Sequence, residues 1–283
     1  MHETGHSQQT EAANGNKEKV KLNPEPDTSP RPIEKKLNGK TALITGGDSG
    51  IGKAVALLFA LHGADIAIAY LDDDTDAEET RREIEKLGQQ CLLLEGDLSQ
   101  EENCKRAVNQ TVEKFSRLDI VVNNAAVQWE TDHFEDISTE QLERTFRTNV
   151  FSFFWVVKYA LPHLKEGSAI VNTSSVNAYG GHGRLIDYSS AKSAIIGFTR
   201  SLAHSVGHRG IRVNAVAPGP IWTQLLAADS PGQELSDLGQ ELPLGRAGQP
   251  NEVATCFLFL ASDDSSYMTG QCLHPNGGEV VNG

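Results

Sequence analysis

Tyr188 and Lys192 are two residues whose types and spacing could handle a proton together. They lie in the stretch 187–192, where a Gly-rich segment gives way to an apolar helical pattern. Residues four apart in a helix share a face, so the Lys192 ammonium can approach the Tyr188 phenol or a group bound beside it. A nearby positive charge lowers the pKa of a tyrosine from its usual value of about 10. Tyr188 could then exchange a proton with a carbonyl or an alcohol near neutral pH. An isolated Tyr-x-x-x-Lys is usually an ordinary helix start, so other residues must build the site.

Composition limits the classes of function that this chain can have. Its 283 residues can bury a sizeable core. Lys and Arg number 25 against 38 Asp and Glu, and the net charge of −13 argues against nucleic acid or an anionic membrane as the main partner. The four scattered cysteines have no metal-ligand spacing, so we expect no metal site and a reduced, cytoplasmic setting. No apolar run approaches the ~18 residues of a membrane helix, and the N-terminus lacks the apolar core of a secretory signal.

Residues 1–38 differ in composition from everything that follows. Gln, Glu, Asn and Lys dominate, apolar residues are sparse, and four prolines fall between positions 24 and 32. Such a segment buries too little apolar surface to offset the entropy lost on ordering. We therefore expect a poorly ordered polar extension at 1–38 and a single folded domain at 39–283.

From residue 39 onward, short β-like apolar runs alternate with longer helical patterns. This alternation is typical of an α/β fold in which helices cover both faces of a parallel sheet, and it predicts a doubly wound domain with seven strands. The predicted strands lie near residues 41–45, 66–70, 91–94, 119–122, 169–173, 211–216 and 271–274. The predicted helices lie near residues 51–62, 76–87, 100–115, 139–163, 188–206 and 250–261. The irregular stretch 222–249, with scattered Pro and Gly, is predicted to be a lid or binding loop.

The first predicted strand runs directly into a glycine-rich turn. Thr45 is followed by Gly46-Gly47-Asp48-Ser49-Gly50-Ile51-Gly52, after which the pattern becomes helical. Bare backbone N–H groups and the positive end of a helix dipole at such a turn can face a bound anion. A glycine turn occurs in many tight strand-to-helix connections, but its place directly after the first strand favours phosphate binding.

The glycine spacing resembles the T-G-x-x-x-G-x-G motif of the short-chain dehydrogenase/reductase family. Gly96-Asp97-Leu98, after the third strand, is similar to the family's segment whose Asp contacts adenine. Asn123-Asn124-Ala125-Ala126, after the fourth strand, resembles its Asn-Asn-Ala-Gly motif, with Ala126 replacing the glycine. Asparagine is also common in turns, and this resemblance favours the functional interpretation.

Further motifs follow in the order expected for this family, over roughly residues 39–283. Asn149 lies where the family keeps a fourth catalytic residue, within the predicted helix 139–163. Ser175 stands 13 residues before Tyr188, a typical separation for the family's Ser and Tyr. The segment from Pro218 to Thr223 resembles Pro-Gly-x-x-x-Thr, whose Ile and Thr positions hold the nicotinamide carboxamide. The resemblance implies a single Rossmann-type domain that binds a dinucleotide and carries the catalytic residues Asn149, Ser175, Tyr188 and Lys192. It implies cofactor contacts from Gly46, Asp48, Ser49, Gly50, Ile51, Gly52, Tyr70, Leu71, Asp97, Leu98, Asn124, Ala125, Tyr188, Lys192, Pro218, Gly219, Ile221 and Thr223.

The implied chemistry is hydride transfer between a nicotinamide dinucleotide and an alcohol or carbonyl. A hydride added to a carbonyl leaves an alkoxide that must gain a proton, and Tyr188 would supply it. Ser175 would orient the substrate oxygen, and Lys192 would bind the ribose hydroxyls and lower the Tyr188 pKa. Asn149, as a buried residue that breaks its helix locally, would position a water that relays protons towards Lys192. Tyr188→Phe is accordingly expected to abolish turnover.

The preferred nucleotide is predicted from charge. The second strand ends in Tyr70-Leu71, which Asp72, Asp73 and Asp74 follow, with no Lys or Arg nearby or in the glycine turn. Carboxylates here can bond a ribose 2′-hydroxyl and would repel a 2′-phosphate. We therefore predict NAD as the preferred nucleotide. NADP is the alternative, because these aspartates could equally form a solvated loop.

Sequence patterns also suggest assembly and leave the substrate open. The stretch 139–163 carries more apolar residues than one sheet-facing stripe needs. The family commonly pairs the corresponding helices into tetramers, so we expect a homo-oligomer, a tetramer by resemblance. The polar tail, the glycine turn and the ending 267–278 resemble the glucose and ribitol dehydrogenase-like branch. This suggests a polyol, sugar or small ketone as substrate. The alternatives are a 3-oxoacyl carrier-protein reductase and a non-catalytic nucleotide-binding scaffold.

Overall fold

The compact folded domain begins slightly earlier in the chain than the sequence predicts. The computed structural model describes residues 35–223 and 238–279, so residues 1–34 of the predicted extension and residues 224–237 of the predicted lid lie outside them. The compact unit starts at Lys35, four residues before the predicted boundary. The physical reason is Leu37, which is 1% exposed and packs into the apolar core, with its N–H donating to the carbonyl of His62 at 3.0 Å. The last residues of the predicted extension therefore belong to the body.

Seven parallel strands form one sheet, as predicted. They are β1 (Thr41–Thr45), β2 (Asp65–Tyr70), β3 (Cys91–Glu95), β4 (Ile120–Asn123), β5 (Ala169–Thr173), β6 (Arg212–Val216) and β7 (Cys272–Leu273). Their spatial order is β3-β2-β1-β4-β5-β6-β7, and every pairing is parallel. The order reverses between β1 and β4, where a crevice opens at the carboxyl ends of the strands. Ligands of open α/β sheets bind at such a crevice, which sets the place to look for a site.

Helices cover both faces of this sheet, which confirms the doubly wound fold. They are α1 (Gly50–Leu61), α2 (Asp74–Lys86), α3 (Glu101–Phe115), α4 (Thr139–Phe146), α5 (Ser152–Ala160), α6 (Asn177–Gly180), α7 (Ile186–Val206) and α8 (Pro250–Ala261). Apolar side chains of α1, α2 and α8 fill one layer of the core, and those of α3, α5 and α7 fill the other. In the described ranges, no helix is long and apolar enough to cross a membrane.

The predicted helix 139–163 is interrupted. A π-helical turn at Arg147–Phe151 separates α4 from α5. Asn149, at the centre of this turn, is fully buried and bonds the backbone of Val127 in both directions. Single π-helical turns inside longer helices often mark functional sites. The local break expected at Asn149 is therefore present, and the helical structure ends at Ala160, three residues before the predicted end. Helix α6 was not predicted.

A line of polar side chains crosses the apolar sheet beneath its carboxyl edge. Asn123 of β4 lies beside Asn172 of β5 in the strand register, and its Nδ2 donates to the Oδ1 of Asn172 at 2.9 Å. The Nδ2 of Asn172 then donates to the hydroxyl of Thr199 on α7 at 2.9 Å. All three residues are buried, so β4, β5 and the catalytic helix candidate α7 are joined by hydrogen bonds inside the core.

Candidate active site

The glycine turn after β1 has the geometry of an anion cradle. Gly46 and Gly50 have φ values of +62° and +51°, in the left-handed region that favours glycine. A Cβ on Gly52 would lie 1.8 Å from the carbonyl oxygen of Gly46, so no side chain fits where α1 crosses the turn. Ser49, the N-cap of α1, makes no side-chain cap hydrogen bond, and the first turn of α1 contains no acidic residue. The uncapped N–H groups at the start of α1 suit the phosphates of a dinucleotide.

The turn is fixed to the loop that follows β4. The backbone N–H groups of Asn124 and Ala125 both donate to the hydroxyl of Thr45, at 2.8 and 3.0 Å. The Asn124 side chain donates to the Gly46 carbonyl at 3.0 Å and accepts from the hydroxyl of Thr173 at 3.3 Å. The structure therefore brings the predicted Asn124 and Ala125 directly against the predicted glycines. Thr45 and Thr173 hold them there, and sequence analysis did not assign them this role.

Carboxylates gather at the end of β2, where the predicted Tyr70 and Leu71 lie. The Tyr70 hydroxyl donates to the Asp74 carboxylate at 2.7 Å, and burial together with that carboxylate raises the Tyr70 pKa. Asp73 caps α2 by accepting from two backbone N–H groups. On the glycine turn, burial raises the pKa of Asp48. Because Asp73 and Asp74 have structural partners, the predicted run of aspartates is partly a helix start.

Asp97 lies in the loop after β3, with its carboxylate held on two sides. Its Oδ1 accepts from the backbone N–H of Ser99 at 2.9 Å, and its Oδ2 accepts from Arg144 of α4 at 2.6 Å. Burial alone would raise the pKa of Asp97, but these hydrogen bonds hold it below its usual value. Arg144 also donates to the Ser99 hydroxyl at 2.7 Å. The predicted adenine contacts, Asp97 and the buried Leu98, thus lie in a loop that is tied to α4.

Tyr188 and Lys192 lie close together in α7. The Lys192 side chain is 1% exposed, and its Nζ lies 5.6 Å from the ring centres of both Tyr188 and Phe153. Nζ donates to the carbonyl of Thr173 at the end of β5, at 2.9 Å. Burial lowers the pKa of Lys192 to about 7. A lysine whose charge changes near neutral pH, beside a phenol, can take part in proton exchange.

Ser175 follows β5 and lies two residues after Thr173, whose carbonyl accepts the Lys192 hydrogen bond. The serine is 8% exposed, and its Oγ accepts from the N–H of Asn177 at 3.2 Å, so its hydroxyl can still donate. Ser174 donates to the backbone carbonyl of Lys192 at 2.9 Å. The β5 end and α7 are therefore locked together, and this bond supports the predicted grouping of Ser175 with Tyr188 and Lys192.

The segment 218–223 returns to the glycine turn. Pro218 accepts from the N–H of Val176, and Gly219 donates to the carbonyl of Pro275, so the segment is held between two loops. Ile221 forms a parallel bridge with Gly248. A Cβ on Gly50 would lie 3.1 Å from Cγ2 of Thr223, which places Thr223 against the anion cradle. The predicted contacts Pro218, Gly219, Ile221 and Thr223 thus line the same edge of the sheet.

Asp187 is a buried residue that sequence analysis left without a role. It directly precedes Tyr188, is 3% exposed, and accepts hydrogen bonds from two residues of α4, Gln141 and Thr145. The signal available in the sequence is an acidic residue in the first turn of a helix, which the helix dipole favours. That signal does not identify the residues that bond Asp187.

In the described ranges, no group of three His, Cys, Asp or Glu side chains could hold a metal ion.

Comparison with known proteins identifies the same family that the sequence motifs resemble. Residues 46–279 match the family profile described as Enoyl-(Acyl carrier protein) reductase. The chain is 59% identical to the uncharacterized oxidoreductase YhdF of Bacillus subtilis, covering 87% of this chain and 85% of the relative. It is 49% identical to a glucose and ribitol dehydrogenase of Daucus carota, covering 88% and 87%. It is 47% identical to an NADPH-dependent aldehyde reductase 1, chloroplastic, of Arabidopsis thaliana, covering 97% and 98%.

A solved structure agrees with the fold and with the type of cofactor. It is a blue fluorescent protein from a metagenomic library in complex with NADPH. It is 34% identical, superposes with a TM-score of 0.81, and the match covers 86% of this chain and 98% of that one. The parallel sheet, the glycine cradle and these relatives point to one conclusion. The chain belongs to the short-chain dehydrogenase/reductase family of NAD(P)-dependent oxidoreductases.

Proposed function

We propose that the protein transfers a hydride between a nicotinamide dinucleotide and an alcohol or carbonyl substrate such as a polyol, a sugar or a small ketone. This proposal rests on the buried Lys192 ammonium, which lies 5.6 Å from the centre of the Tyr188 ring. Both residues lie at the same edge of the sheet as the anion cradle. When bound, the nicotinamide supplies or accepts the hydride. The proposed substrate range is supported by the glucose and ribitol dehydrogenase of Daucus carota.

Tyr188 is the proposed acid and base. During reduction its hydroxyl gives a proton to the substrate oxygen, and during oxidation its phenolate takes that proton back. Ser175 donates a hydrogen bond to the same oxygen and orients it. Lys192 holds the ribose hydroxyls and stabilises the phenolate by its charge.

Asn149 is the proposed anchor of the proton relay. Its side-chain oxygen accepts from the Val127 N–H at 2.8 Å and its side-chain nitrogen donates to the Val127 carbonyl at 2.7 Å, so the side chain is fixed against the loop after β4. Asn149 would position the relay water from the π-helical turn. The side chain would keep that turn in place.

A substrate panel tests this function. Purified protein with NAD(H) or NADP(H) is offered polyols, sugars, steroids, aldehydes, small ketones and a 3-oxoacyl thioester, and nicotinamide absorbance is followed. We expect turnover on an alcohol or carbonyl, with a higher kcat/KM for polyols or small carbonyls than for the thioester. Preference for the thioester would favour the carrier-protein reductase. Tight nucleotide binding without any turnover would favour a non-catalytic scaffold.

We propose NAD as the preferred nucleotide. The residues near the 2′ position decide this choice, and Asp72, Asp73 and Asp74 all follow β2. Lys53, the nearest lysine along the chain from the glycine turn, already pairs with Glu79 and Glu83. The charges here disfavour a 2′-phosphate. The comparisons point the other way, because one relative is named NADPH-dependent and one similar structure holds NADPH.

The expected KM for NADP is about tenfold or more above that for NAD, which corresponds to ~1.4 kcal/mol. Initial-rate kinetics with each nucleotide at a saturating substrate measure the ratio. Leu71→Arg places a cation on an exposed position beside the aspartates. It should therefore bring the KM for NADP closer to the KM for NAD. A lower KM for NADP than for NAD in the wild type would show that the carboxylates do not select the nucleotide.

We also propose a homo-oligomer, a tetramer by family resemblance, in the cytoplasm. Phe151 and Phe154 of the segment 147–160 are 43% and 50% exposed, and the Phe154 ring packs against that of Phe198 of α7 with ring centres 4.2 Å apart. A contiguous apolar surface of this kind is typical of an interface. All four cysteines are free thiols, which supports a reduced compartment.

Light scattering is expected to give the mass of an assembly, and Phe154→Glu is expected to lower it. The variant places a charge in the middle of the apolar surface, whereas Glu140→Gln, on an exposed position of α4, serves as a control. A monomeric mass for the wild type across the micromolar range would contradict the proposal.

A further inference from the structure

Helix α4 contacts both ends of the active site through neighbouring side chains. Arg144 donates to Asp97 and Ser99, in the loop that carries the proposed adenine contacts. Thr145, the next residue, donates to Asp187 at the start of α7 at 2.7 Å. The same helix continues into the π-helical turn that carries Asn149. Helix α4 is therefore hydrogen-bonded to two parts of the proposed machinery and leads directly into a third.

The Asp187 carboxylate is buried and has hydrogen-bond partners on both oxygens. Its Oδ2 accepts from the Thr145 hydroxyl at 2.7 Å and from the Gln141 side-chain nitrogen at 3.2 Å. Its Oδ1 accepts from the backbone N–H of Tyr188 at 2.8 Å. A buried carboxylate is costly unless hydrogen bonds replace its hydration, and the positive end of the α7 dipole favours it here. Thr145 is itself fully buried, so water has little access to the contact.

We infer that Asp187 and Thr145 are positioning residues that fix the first turn of α7, and with it Tyr188, against α4. The inference rests on the proposed role of Tyr188. Tyr188 follows Asp187 directly and its own N–H is bonded by the carboxylate, so a shift of Asp187 moves the backbone from which the phenol projects. Catalysis depends on such placement, since a misplacement of about 1 Å can cost about 100-fold in rate.

Two variants of Thr145 separate the hydrogen bond from the packing. Thr145→Val keeps the shape and removes the hydroxyl, so the Asp187 Oδ2 loses its 2.7 Å hydrogen bond and keeps the 3.2 Å bond from Gln141. Thr145→Ser removes a methyl group and keeps the hydroxyl. We expect kcat to fall about tenfold or more in the Val variant, with the nucleotide Kd within about twofold of the wild type. The Ser variant should retain kcat within about twofold.

Hydrogen–deuterium exchange gives a readout that does not need turnover. The backbone amides in the first two turns of α7, residues 186–192, should exchange faster in the Val variant and at the wild-type rate in the Ser variant. Amides of α8, which lies on the other face of the sheet, are the internal control and should not change.

The outcomes distinguish the inference from the function on which it rests. Unchanged exchange in the Val variant would overturn the inference. Faster exchange with an unchanged kcat would also overturn it, because Tyr188 would then not depend on this contact. A wild type that binds nucleotide and turns over no substrate would overturn the proposed function instead, and exchange would still decide whether Thr145 and Asp187 fix the helix.

Discussion

Replacement of Tyr188 by phenylalanine is expected to abolish measurable turnover while leaving nucleotide affinity nearly intact. The change removes one hydroxyl and keeps the ring, which is 7% exposed and lies beside Lys192 in the core of the site. General acid–base catalysis by a positioned side chain contributes about 10²–10⁴ in rate, and no other proton donor is proposed at the substrate oxygen. A fall in kcat of at least ~1,000-fold is therefore expected, measured by nicotinamide absorbance. The nucleotide Kd, measured by fluorescence titration, should change less than about threefold.

Tyr159→Phe is the matched control for this experiment. Tyr159 lies on α5, and its hydroxyl donates to the surface Glu101 at 2.9 Å. Removing that hydroxyl deletes a hydrogen bond of the same kind away from the candidate site, so kcat should stay within about twofold. A Tyr188→Phe protein that keeps most of the wild-type rate would show that another group handles the proton.

Replacement of Lys192 by methionine is expected to abolish turnover and to stabilise the nucleotide-free protein. The Lys192 side chain is 1% exposed, and its ammonium lies near two aromatic rings and the Thr173 carbonyl. It forms no ion pair with any carboxylate in the described part of the chain. Burying an ammonium without a carboxylate partner costs free energy that an apolar side chain of similar volume does not incur. Thermal unfolding at pH 6.5 should therefore give a higher Tm for Lys192→Met than for the wild type.

The pH dependence of this difference follows from the lowered pKa of Lys192. Burial lowers that pKa to about 7 from an ordinary value of 10.5. Between these values the unfolded chain holds a proton that the folded chain has lost, so the contribution of Lys192 to the stability of folding rises with pH. Below pH 7 both states are protonated and the full destabilisation is present. The Tm advantage of Lys192→Met should thus be greatest at or below pH 7 and shrink as the pH rises towards 10.

Lys158→Met provides the comparison for a surface lysine. Lys158 has a 62% exposed side chain and pairs with Glu101. An exposed ion pair contributes little to stability, so its loss should change Tm only slightly. Lys158→Met should not show the rise in Tm at pH 7 and its decrease towards pH 10 that are expected for Lys192→Met. A lower Tm for Lys192→Met than for the wild type at pH 6.5, or an advantage that does not change with pH, would contradict the destabilisation assigned to the buried ammonium.

The parallel sheet could be predicted because its strands are local signals. Strands β1, β4 and β5 are buried on both faces and appear in the sequence as short apolar runs, such as Ile120–Asn123. Their observed bounds differ from the predicted ones by about a residue. The glycine cradle was also predictable, since the spacing of Gly46, Gly50 and Gly52 reflects a steric requirement that a Cβ at position 52 would violate.

The bonds that position the site could not be predicted in the same way. Thr145 and Asp187 are 42 residues apart, and Arg144 and Asp97 are 47 apart. Neither pair has a periodicity or motif that joins its members, because each pair meets only where α4 packs against α7 or bonds the loop after β3. The burial of Leu37 is a similar case, since a single apolar residue in a polar segment has no local pattern. Spacing identifies residues that share an element, whereas contacts between elements depend on tertiary structure.

The hydrogen bond between Asn123 and Asn172 bears on how the strands find their correct alignment during folding. Strands buried on both faces are near-continuous apolar runs, so a slip of one along its neighbour mostly exchanges one apolar side chain for another. A slip of β4 along β5 would break the hydrogen bond between the buried side chains of Asn123 and Asn172. Asn172 is also held to α7 by its hydrogen bond to Thr199. An unpaired buried amide costs about 1–3 kcal/mol. These amides therefore favour one alignment of β4 and β5, so a few polar atoms specify a pairing that the surrounding apolar residues leave ambiguous.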